Sequence, residues 1–287
     1  MKNTIIKRLS LLLALTMLLS LVLTGCGGAA TPAAEPTAGT TLPTVQTQPT
    51  QPVTQIQATT APTEEAMEEP FVVEIIPVIT EEQTTVTVKT ADQFLAAIAP
   101  NTEIIVDAEL IDLSKASGYG KGGKTYYTWM ESFDGPELYI TGVTNLTIRG
   151  AGEDRTAVVI SATPRYADVL SFENCSNVQI SGLTAGHTKE PGSCAGGVLC
   201  FENCQDILVE NCGLFGCGIL GVTAYSSKNI QIVNNEIYEC SVGGVEFTNC
   251  DAVNVDGNTF RDLGGPIFRI YDCGTVTCNG KDAVPFR

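Results

Sequence analysis

A short pattern of polar and apolar positions recurs along the second half of the chain. Each copy has four residues, in which a polar or small residue is followed by an apolar, a variable and a second apolar one. The copies are Asn145-Leu-Thr-Ile148, Asn177-Val-Gln-Ile180, Asp206-Ile-Leu-Val209, Asn229-Ile-Gln-Ile232, Ala252-Val-Asn-Val255 and Thr275-Val-Thr-Cys278. Their first residues are 32, 29, 23, 23 and 23 positions apart. A repeat of this length predicts a solenoid, in which each copy belongs to one coil.

Aligning the copies produces further columns upstream. Two columns, seven and five residues before each copy, are apolar and flank a variable position, which predicts a strand with one buried face. The apolar columns are Leu138, Leu170, Leu199, Val222, Val245 and Phe268, and then Ile140, Phe172, Phe201, Ala224, Phe247 and Ile270. The variable positions are Tyr139, Ser171, Cys200, Thr223, Glu246 and Arg269.

A polar column three residues before each copy predicts a bend, because asparagine tolerates left-handed backbone and bonds to nearby backbone groups. Its members are Gly142, Asn174, Asn203, Ser226, Asn249 and Asp272. Each coil should therefore contain two or three short strands and stack about 4.8 Å above the last. A leucine-rich repeat would need a different consensus, and a β-propeller would need about twice the period.

These columns resemble those of right-handed parallel β-helix proteins of the pectate-lyase-like superfamily, over roughly residues 88–287. The resemblance implies an all-β solenoid with a short N-terminal capping helix. Thr90-Ala-Asp-Gln93 matches a helix capping box, followed by apolar Phe94, Leu95 and Ile98. Residues 102–113 are rich in β-forming residues, and residues 114–135 are predicted to form a long loop.

The pectinase motifs of that superfamily are missing from this chain. A polygalacturonase would carry Asn-Thr-Asp, Asp-Asp, Gly-His-Gly and Arg-Ile-Lys, whereas this chain has Ala185-Gly186-His187 and Phe268-Arg269-Ile270. The calcium-ligating acidic cluster and the Arg-x-Pro-x-x-Arg stretch of pectate lyases are not visible either. The resemblance therefore predicts the scaffold without an ordinary pectinase site.

The N-terminus predicts export and lipid attachment. Lys2, Lys7 and Arg8 precede an apolar run, and the segment ends in Leu-Thr-Gly-Cys26, which resembles the lipobox of bacterial lipoproteins. Residues 1–25 are then a signal peptide, and a lipid on Cys26 anchors the chain to the cell membrane on its extracytoplasmic side. The alternative is a plain secretory signal with an incidental cysteine.

Residues 26–70 are predicted to be a disordered linker, rich in Thr, Pro, Ala and Gln, before a domain at 71–287. Without the signal peptide, 13 basic residues face 32 acidic ones, a formal charge of −19. Such a surface disfavours nucleic acid, whose binding needs Lys and Arg contacts to phosphate. It suits neutral glycans, basic partners or divalent ions, or it serves solubility alone.

Most of the eleven cysteines are predicted to be buried free thiols. Four of them, Cys175, Cys204, Cys250 and Cys273, share one column two residues before the copies, where Val143 and Ser227 also occur. Cys217 and Cys240 share another column. Parallel side chains on stacked coils are somewhat too far apart for a disulfide. One or two disulfides, involving Cys194 or Cys200, are the alternative, and no zinc-binding spacing is present.

Candidate catalytic residues follow from one outward column. Glu239 and Asp262 occupy equivalent positions of adjacent coils, with Arg261 beside them, and His187, the single histidine, occupies the equivalent position two coils before Glu239. Two carboxylates about 5 Å apart could act as the acid and nucleophile of a glycosidase, or they could bind Ca²⁺. No other cofactor and no metal site are predicted. The structural alternative is a solvated surface in which Glu246 and Arg269 form an ion pair of under about 1 kcal/mol.

Aromatic residues in the loop 114–135 are the candidate substrate-binding groups. Tyr126, Tyr127 and Trp129 could stack on sugar rings, helped by Arg261 and Arg269, or they could plug the end of the core. Two functions remain open: a surface module that binds a glycan or another partner, and a polysaccharide lyase or hydrolase with a non-standard site. The chain ends at Arg287 within the last coil, which predicts an uncapped end unless the last residues fold over it.

Overall fold

The computed structural model describes residues 82–187, 195–216 and 218–283. Several sequence predictions concern residues outside these ranges: the signal peptide 1–25, the lipidation site Cys26, the linker 26–70, the domain start at residue 71, and the thiols of Cys194 and Cys217. No helix within the described ranges is long and apolar enough to cross a membrane.

The described chain consists mainly of short strands. One α-helix, α1, spans Ala91–Ala97, and two 3₁₀ turns span Leu113–Lys115 and Arg155–Ala157. The first strands are β1 (Thr84–Val88), β2 (Thr102–Val106), β3 (Leu110–Asp112), β4 (Tyr127–Glu131), β5 (Pro136–Thr141), β6 (Thr144–Gly150), β7 (Val159–Ala162), β8 (Leu170–Glu173), β9 (Ser176–Ser181), β10 (Thr184–His187) and β11 (Leu199–Glu202). They are followed by β12 (Gln205–Glu210), β13 (Gly213–Phe215), β14 (Val222–Tyr225), β15 (Lys228–Val233), β16 (Glu236–Tyr238), β17 (Val245–Thr248), β18 (Asp251–Asp256), β19 (Thr259–Arg261), β20 (Phe268–Tyr271), β21 (Val276–Cys278) and β22 (Lys281–Asp282).

Three sheets run along the solenoid, and each full coil contributes one strand to each in turn. Sheet 1 has the order β20-β17-β14-β11-β8-β5-β4, sheet 2 the order β1-β2-β6-β9-β12-β15-β18-β21-β22, and sheet 3 the order β19-β16-β13-β10-β7-β3. Neighbouring strands from successive coils pair in parallel. The predicted all-β parallel β-helix is therefore confirmed.

The apolar columns align as the spacing predicts. In sheet 1, Leu199 lies opposite Leu170 on one side and Val222 on the other. The rings of Phe172 and Phe201 stack with centroids 5.1 Å apart inside the core. Because each apolar side chain rests on its equivalent in the next coil, burial continues through the stack.

The bends between sheets 1 and 2 carry the predicted polar column. Its members have φ between 49° and 64°, the left-handed conformation that asparagine and glycine tolerate best. A second left-handed column was not predicted. It consists of the first residue of five repeat copies, Asn145, Asn177, Asp206, Asn229 and Ala252.

The described cysteines are all free, as predicted for most of them. Cys175, Cys204 and Cys250 are each 2% exposed. The Cys204 sulfur accepts a hydrogen bond from the backbone N–H of Cys175 in the preceding coil at 3.4 Å. The Cys273 sulfur likewise accepts a hydrogen bond from the backbone N–H of Cys250. This column therefore links successive coils while filling the core. Cys200, the alternative disulfide partner, is also a free thiol.

The helix α1 covers the N-terminal end of the core. The Thr90 hydroxyl accepts the Gln93 N–H at 3.2 Å, as the capping box predicts. The Gln93 side chain bonds the N–H of Lys89 rather than that of Thr90. The buried side chains of Phe94 and Leu95 face the core.

The loop prediction for residues 114–135 was partly wrong. β4 lies within that range and pairs antiparallel with β5, with Tyr127 opposite Ile140. This hairpin adds one antiparallel strand to sheet 1. The Tyr127 side chain is buried in the core. At the other end, β22 folds back antiparallel onto β21.

Candidate functional site

The outer face of sheet 1 carries one side chain per coil from the predicted variable column. Tyr139, Ser171, Cys200, Thr223, Glu246 and Arg269 follow one another in register. Although this face points away from the core, Ser171 is only 1% exposed and Thr223 only 5%. The side chain of Glu137 contacts Ser171 from outside, and Asp168 lies three residues before Ser171, so the first coils form a partly enclosed polar site.

Two acidic residues meet at this site, and we refer to Glu137 and Asp168 as the acid pair. Glu137 lies on β5 two residues before Tyr139 and is therefore on the same outward face. Asp168 lies in the bend before β8. The Ser171 hydroxyl donates to Glu137 Oε1 at 2.6 Å. Because Tyr139 lies opposite Ser171 in the paired strands β5 and β8, Glu137 is level with Val169, the residue after Asp168.

Burial raises the pKa values of the acidic groups at this site. It raises the pKa of Glu137 from 4.5 to about 7, and the nearby charge of Asp168 adds to the effect. Burial also raises the pKa of Asp168, while the N–H of Gly197 and the Cys200 thiol oppose that rise. The pKa values of the Cys200 thiol and the Tyr139 hydroxyl are raised by burial and by these acids. A buried carboxyl group whose pKa is raised to near neutrality is typical of acid–base sites.

A glycine allows the backbone to reach Asp168. The N–H of Gly197 donates to Asp168 Oδ1. A Cβ atom at this position would lie 2.9 Å from the Leu220 carbonyl oxygen and 3.0 Å from Asp168 Oδ1. Any other residue would push the two segments apart, so Gly197 belongs to the support of the acid pair.

His187 adjoins this site rather than the other predicted residues. Its side chain is 1% exposed, and Nε2 lies 2.9 Å from the carbonyl oxygen of Ala167, the residue before Asp168. Burial lowers the pKa of His187, which favours the neutral ring with its proton on Nε2. Nδ1 has no hydrogen-bond partner among the described residues. The histidine thus supports the bend that carries Asp168.

The predicted Glu239–Asp262 site lies on another face. Tyr238 and Arg261 are in register on sheet 3, so Glu239 and Asp262 occupy equivalent positions one coil apart, as predicted. Both carboxylates are solvent-exposed, whereas His187 is buried two coils away. The structure therefore does not gather these three side chains into one site. Glu239 borders a cavity of about 480 Å³ with Phe215 and Tyr238.

Arg261 is committed to neighbouring side chains. It forms ion pairs with Glu236 at 2.7 Å and Asp262 at 3.0 Å, and its guanidinium lies 3.9 Å above the Tyr238 ring. Arg155 also forms an ion pair with Glu236, with an N–O distance of 3.0 Å. These contacts connect neighbouring coils of sheet 3. Arg261 therefore has a structural role.

Arg269 and Glu246 form the ion pair that the sequence offered as the structural alternative. Their N–O distance is 2.7 Å, and the Tyr225 hydroxyl donates to the same carboxylate at 3.3 Å. They continue the outer face of sheet 1 beyond Thr223. Arg269 therefore lies along the same face as the acid pair, but several coils away.

The predicted aromatic loop residues mostly close the core. Tyr127 is 8% exposed and points inward, and Tyr126 and Trp129 are partly buried against the core. The Trp129 ring packs edge-on to Tyr119 with centroids 5.0 Å apart. The alternative prediction, that these aromatics plug the end of the core, describes Tyr127 better than sugar stacking does.

Sequence reasoning missed the acid pair. Glu137 and Asp168 lie outside the aligned columns, and Asp168 lies in a connection of variable length. The available signal was the coil length itself, because the two longest coils, of 32 and 29 residues, contain the insertions that surround the site. Within the described ranges, no three His, Cys, Asp or Glu side chains are grouped to hold a metal ion.

Comparison with known proteins identifies the scaffold. Residues 134–282 match the family model described as a right handed beta helix region. A solved protein from Parabacteroides merdae ATCC 43184, described as a glycosyl hydrolase, is 11% identical, with a TM-score of 0.41 over 71% of this chain and 100% of its own. A pectate lyase from Paenibacillus sp. 0602 is 12% identical, with a TM-score of 0.33 over 61% of each chain. No curated protein matches the chain.

Proposed function

The chain belongs to the right-handed β-helix family, and from this premise we propose that it hydrolyses a neutral glycan at the acid pair, Glu137 and Asp168. The observation that carries the proposal is the buried Glu137 carboxyl group, which accepts the Ser171 hydroxyl on the outer face of sheet 1 beside Asp168. Two neighbouring acids in different environments can supply a proton donor and a carboxylate.

The proposed step assigns different roles to the two acids. Glu137, with a pKa of about 7, donates its proton to the glycosidic oxygen as that bond breaks. Asp168 is assigned the role of the carboxylate, because the N–H of Gly197 donates a hydrogen bond to its Oδ1 and such a donor favours the ionised form. In the proposed step Asp168 attacks the sugar as the glycosidic bond breaks, and water then releases the sugar from Asp168 and returns a proton to Glu137, with net retention of configuration.

The charge of the face supports a neutral substrate. Glu137, Asp168, Glu173 and Glu202 lie on or beside sheet 1, and Arg269 is already paired with Glu246. A polyanionic glycan would meet these carboxylates, whose charge would repel it. The step needs no cofactor, although the predicted Ca²⁺ would be an alternative requirement that chelation by EDTA would reveal.

We expect the full chain to release reducing sugar from at least one member of a neutral glycan panel. Asp168→Asn should lower turnover by at least about 100-fold, because the variant lacks the attacking carboxylate. Asp262→Asn is the matched control, since Asp262 is an exposed aspartate of the alternative site. Reducing-sugar assays and product analysis by NMR would measure rate and stereochemistry. Equal turnover in both variants would refute the acid pair, and glycan binding without turnover would favour the binding module.

We further propose that the β-helix is held at the extracytoplasmic side of the cell membrane by a lipid on Cys26. The lipobox-like sequence before Cys26 supports this location. Cys26→Ser should move the protein from the membrane fraction to the soluble fraction and abolish incorporation of labelled fatty acid. Cys200→Ser, which alters a thiol within the folded domain, is the control. Fatty-acid labelling that persists in Cys26→Ser would contradict the proposed anchor.

A further inference from the structure

We propose that Phe133 and Tyr166 form an aromatic platform that holds one sugar ring of the glycan beside the acid pair. This inference rests on the proposed function, since it names the group that positions its substrate. The Phe133 side chain is 85% exposed and Tyr166 is 39% exposed. Their ring centroids are 4.9 Å apart at an interplanar angle of 48°. Two large rings in contact with each other and open to water form an unusual apolar surface on so acidic a chain.

The platform is held firmly by polar contacts beneath it. The two carboxylate oxygens of Asp134 accept the N–H groups of Arg165 at 2.7 Å and Tyr166 at 3.0 Å. The Ser132 hydroxyl donates to the carbonyl of Gly135 at 2.7 Å, which closes the turn that carries Phe133. The two loops therefore act as one unit. Rings fixed in this way give up little conformational freedom when a ligand binds.

Close packing joins the same two loops. A Cβ atom on Gly135 would lie 2.8 Å from Cγ of Pro164, so only glycine lets the loops approach this closely. The Thr163 N–H bonds to the Ser114 hydroxyl at 2.9 Å, which ties the second loop to the N-terminal part of the domain. The exposed rings thus stand on a structured base, unlike the tip of an unsupported loop.

Each ring lies a few residues before one acid of the pair. Phe133 precedes Glu137 by four residues, and Tyr166 precedes Asp168 by two. Two residues span at most about 7 Å, so the Tyr166 backbone lies close to that of Asp168. A substrate on the rings would therefore have its next linkage near the acid pair. The platform is the part of the site that would bring a sugar to the two carboxyl groups.

Ring chemistry selects a neutral sugar as the occupant. The face of an aromatic ring is negative, and the C–H groups on one face of a pyranose present a weakly positive, apolar surface to it. The surrounding carboxylates disfavour an anionic sugar in the same place. A hydrophobic protein partner is the competing occupant, and affinity electrophoresis in polysaccharide gels would distinguish it from a sugar.

Affinity electrophoresis would test the platform without turnover. Full-length Glu137→Gln would run through gels containing soluble xylan, galactomannan, mixed-linkage β-glucan or amylose, alone and combined with platform substitutions. Phe133→Ala and Tyr166→Ala should each weaken binding about tenfold, and Phe133→Tyr should restore it. Leu110→Ala is the matched control, because Leu110 is 56% exposed but lies on sheet 3.

The outcomes separate the platform from the acid pair. Binding that is unchanged in Phe133→Ala and Tyr166→Ala overturns the platform, even where Asp168→Asn has abolished turnover. Weakened binding in these variants supports the platform, even where Asp168→Asn leaves turnover intact and the acid pair fails. If none of the four polysaccharides retards the parent protein, the platform proposal is wrong and a protein partner becomes the better occupant.

Discussion

Glutamine in place of Glu137 is expected to lower glycan turnover by a factor of about 10² to 10⁴ and, at pH 8, to stabilise the fold. Turnover falls because an amide cannot donate the proton that the leaving oxygen needs. Stability rises because the buried group no longer has to ionise. A carboxyl group that served only structure would not combine lost activity with gained stability.

The sign of the stability change follows from the pKa. Burial raises the pKa of Glu137 from 4.5 to about 7 in the folded state. The contribution of this group to the free energy of unfolding is therefore complete below about pH 4.5 and is lost as pH rises through 7. A difference of about 2.5 pKa units corresponds to about 3 kcal/mol at pH 8. Glu137→Gln should remove that pH-dependent loss.

Urea unfolding at pH 4 and pH 8 would measure the effect. The difference between the two pH values should be smaller in Glu137→Gln than in the wild type by about 3 kcal/mol. Glu239→Gln, an exposed glutamate of the same domain, should show no such change. Identical pH dependence of Glu137→Gln and wild type would show that Glu137 ionises freely in the folded protein and would remove the basis for its role as an acid.

The coil register could be predicted from the sequence because stacking repeats the same environment. Leu199 has equivalents one coil below and above, and each must be apolar for the core to continue. A column of six similar residues is a strong signal even when a single position is ambiguous. The bend asparagines were predictable for the same reason, since each coil repeats the same left-handed turn.

The site could not be predicted in the same way because it breaks the repeat. Asp168 lies in a connection whose length changes from coil to coil, so no column contains it. Ser171 was correctly placed on the outward side, but its burial depends on Glu137, which is 34 residues away in sequence. The repeat spacing predicts the position of a residue along its coil, but it does not show which loop covers that position.

The same limit explains the displaced aromatic prediction. Tyr127 and Phe133 belong to one Gly- and Tyr-rich segment, and composition alone does not distinguish them. The antiparallel pairing of β4 with β5 turns Tyr127 inward and leaves Phe133 on the connecting turn. Which ring is available to a ligand was therefore decided by hairpin register, a feature that the repeat pattern does not contain.

Alanine in place of Asn235 is expected to lower the free energy of unfolding by about 4 kcal/mol. Asn235 is 2% exposed and belongs to an inward polar column with Cys212 and Asn258 that the sequence reading missed. Its Oδ1 accepts the Cys212 N–H at 2.8 Å, and its Nδ2 donates to the Val209 carbonyl at 2.8 Å. Alanine would leave the buried Cys212 N–H without its partner, at about 1–3 kcal/mol, and would also remove the bond to the Val209 carbonyl, at about 0.5–1.5 kcal/mol.

Two further substitutions make the Asn235 prediction specific. Asn235→Cys introduces the residue that the preceding coil has at position 212, whose sulfur bonds the Glu210 carbonyl at 3.3 Å, so this variant should lose less stability than Asn235→Ala. Asn249→Gly changes an exposed bend asparagine at φ 53°, where glycine fits, and should cost under about 1 kcal/mol. Urea denaturation would rank the three. Equal losses in Asn235→Ala and Asn249→Gly would mean that the inward column contributes no more than the bends, and that apolar stacking alone holds the coils together.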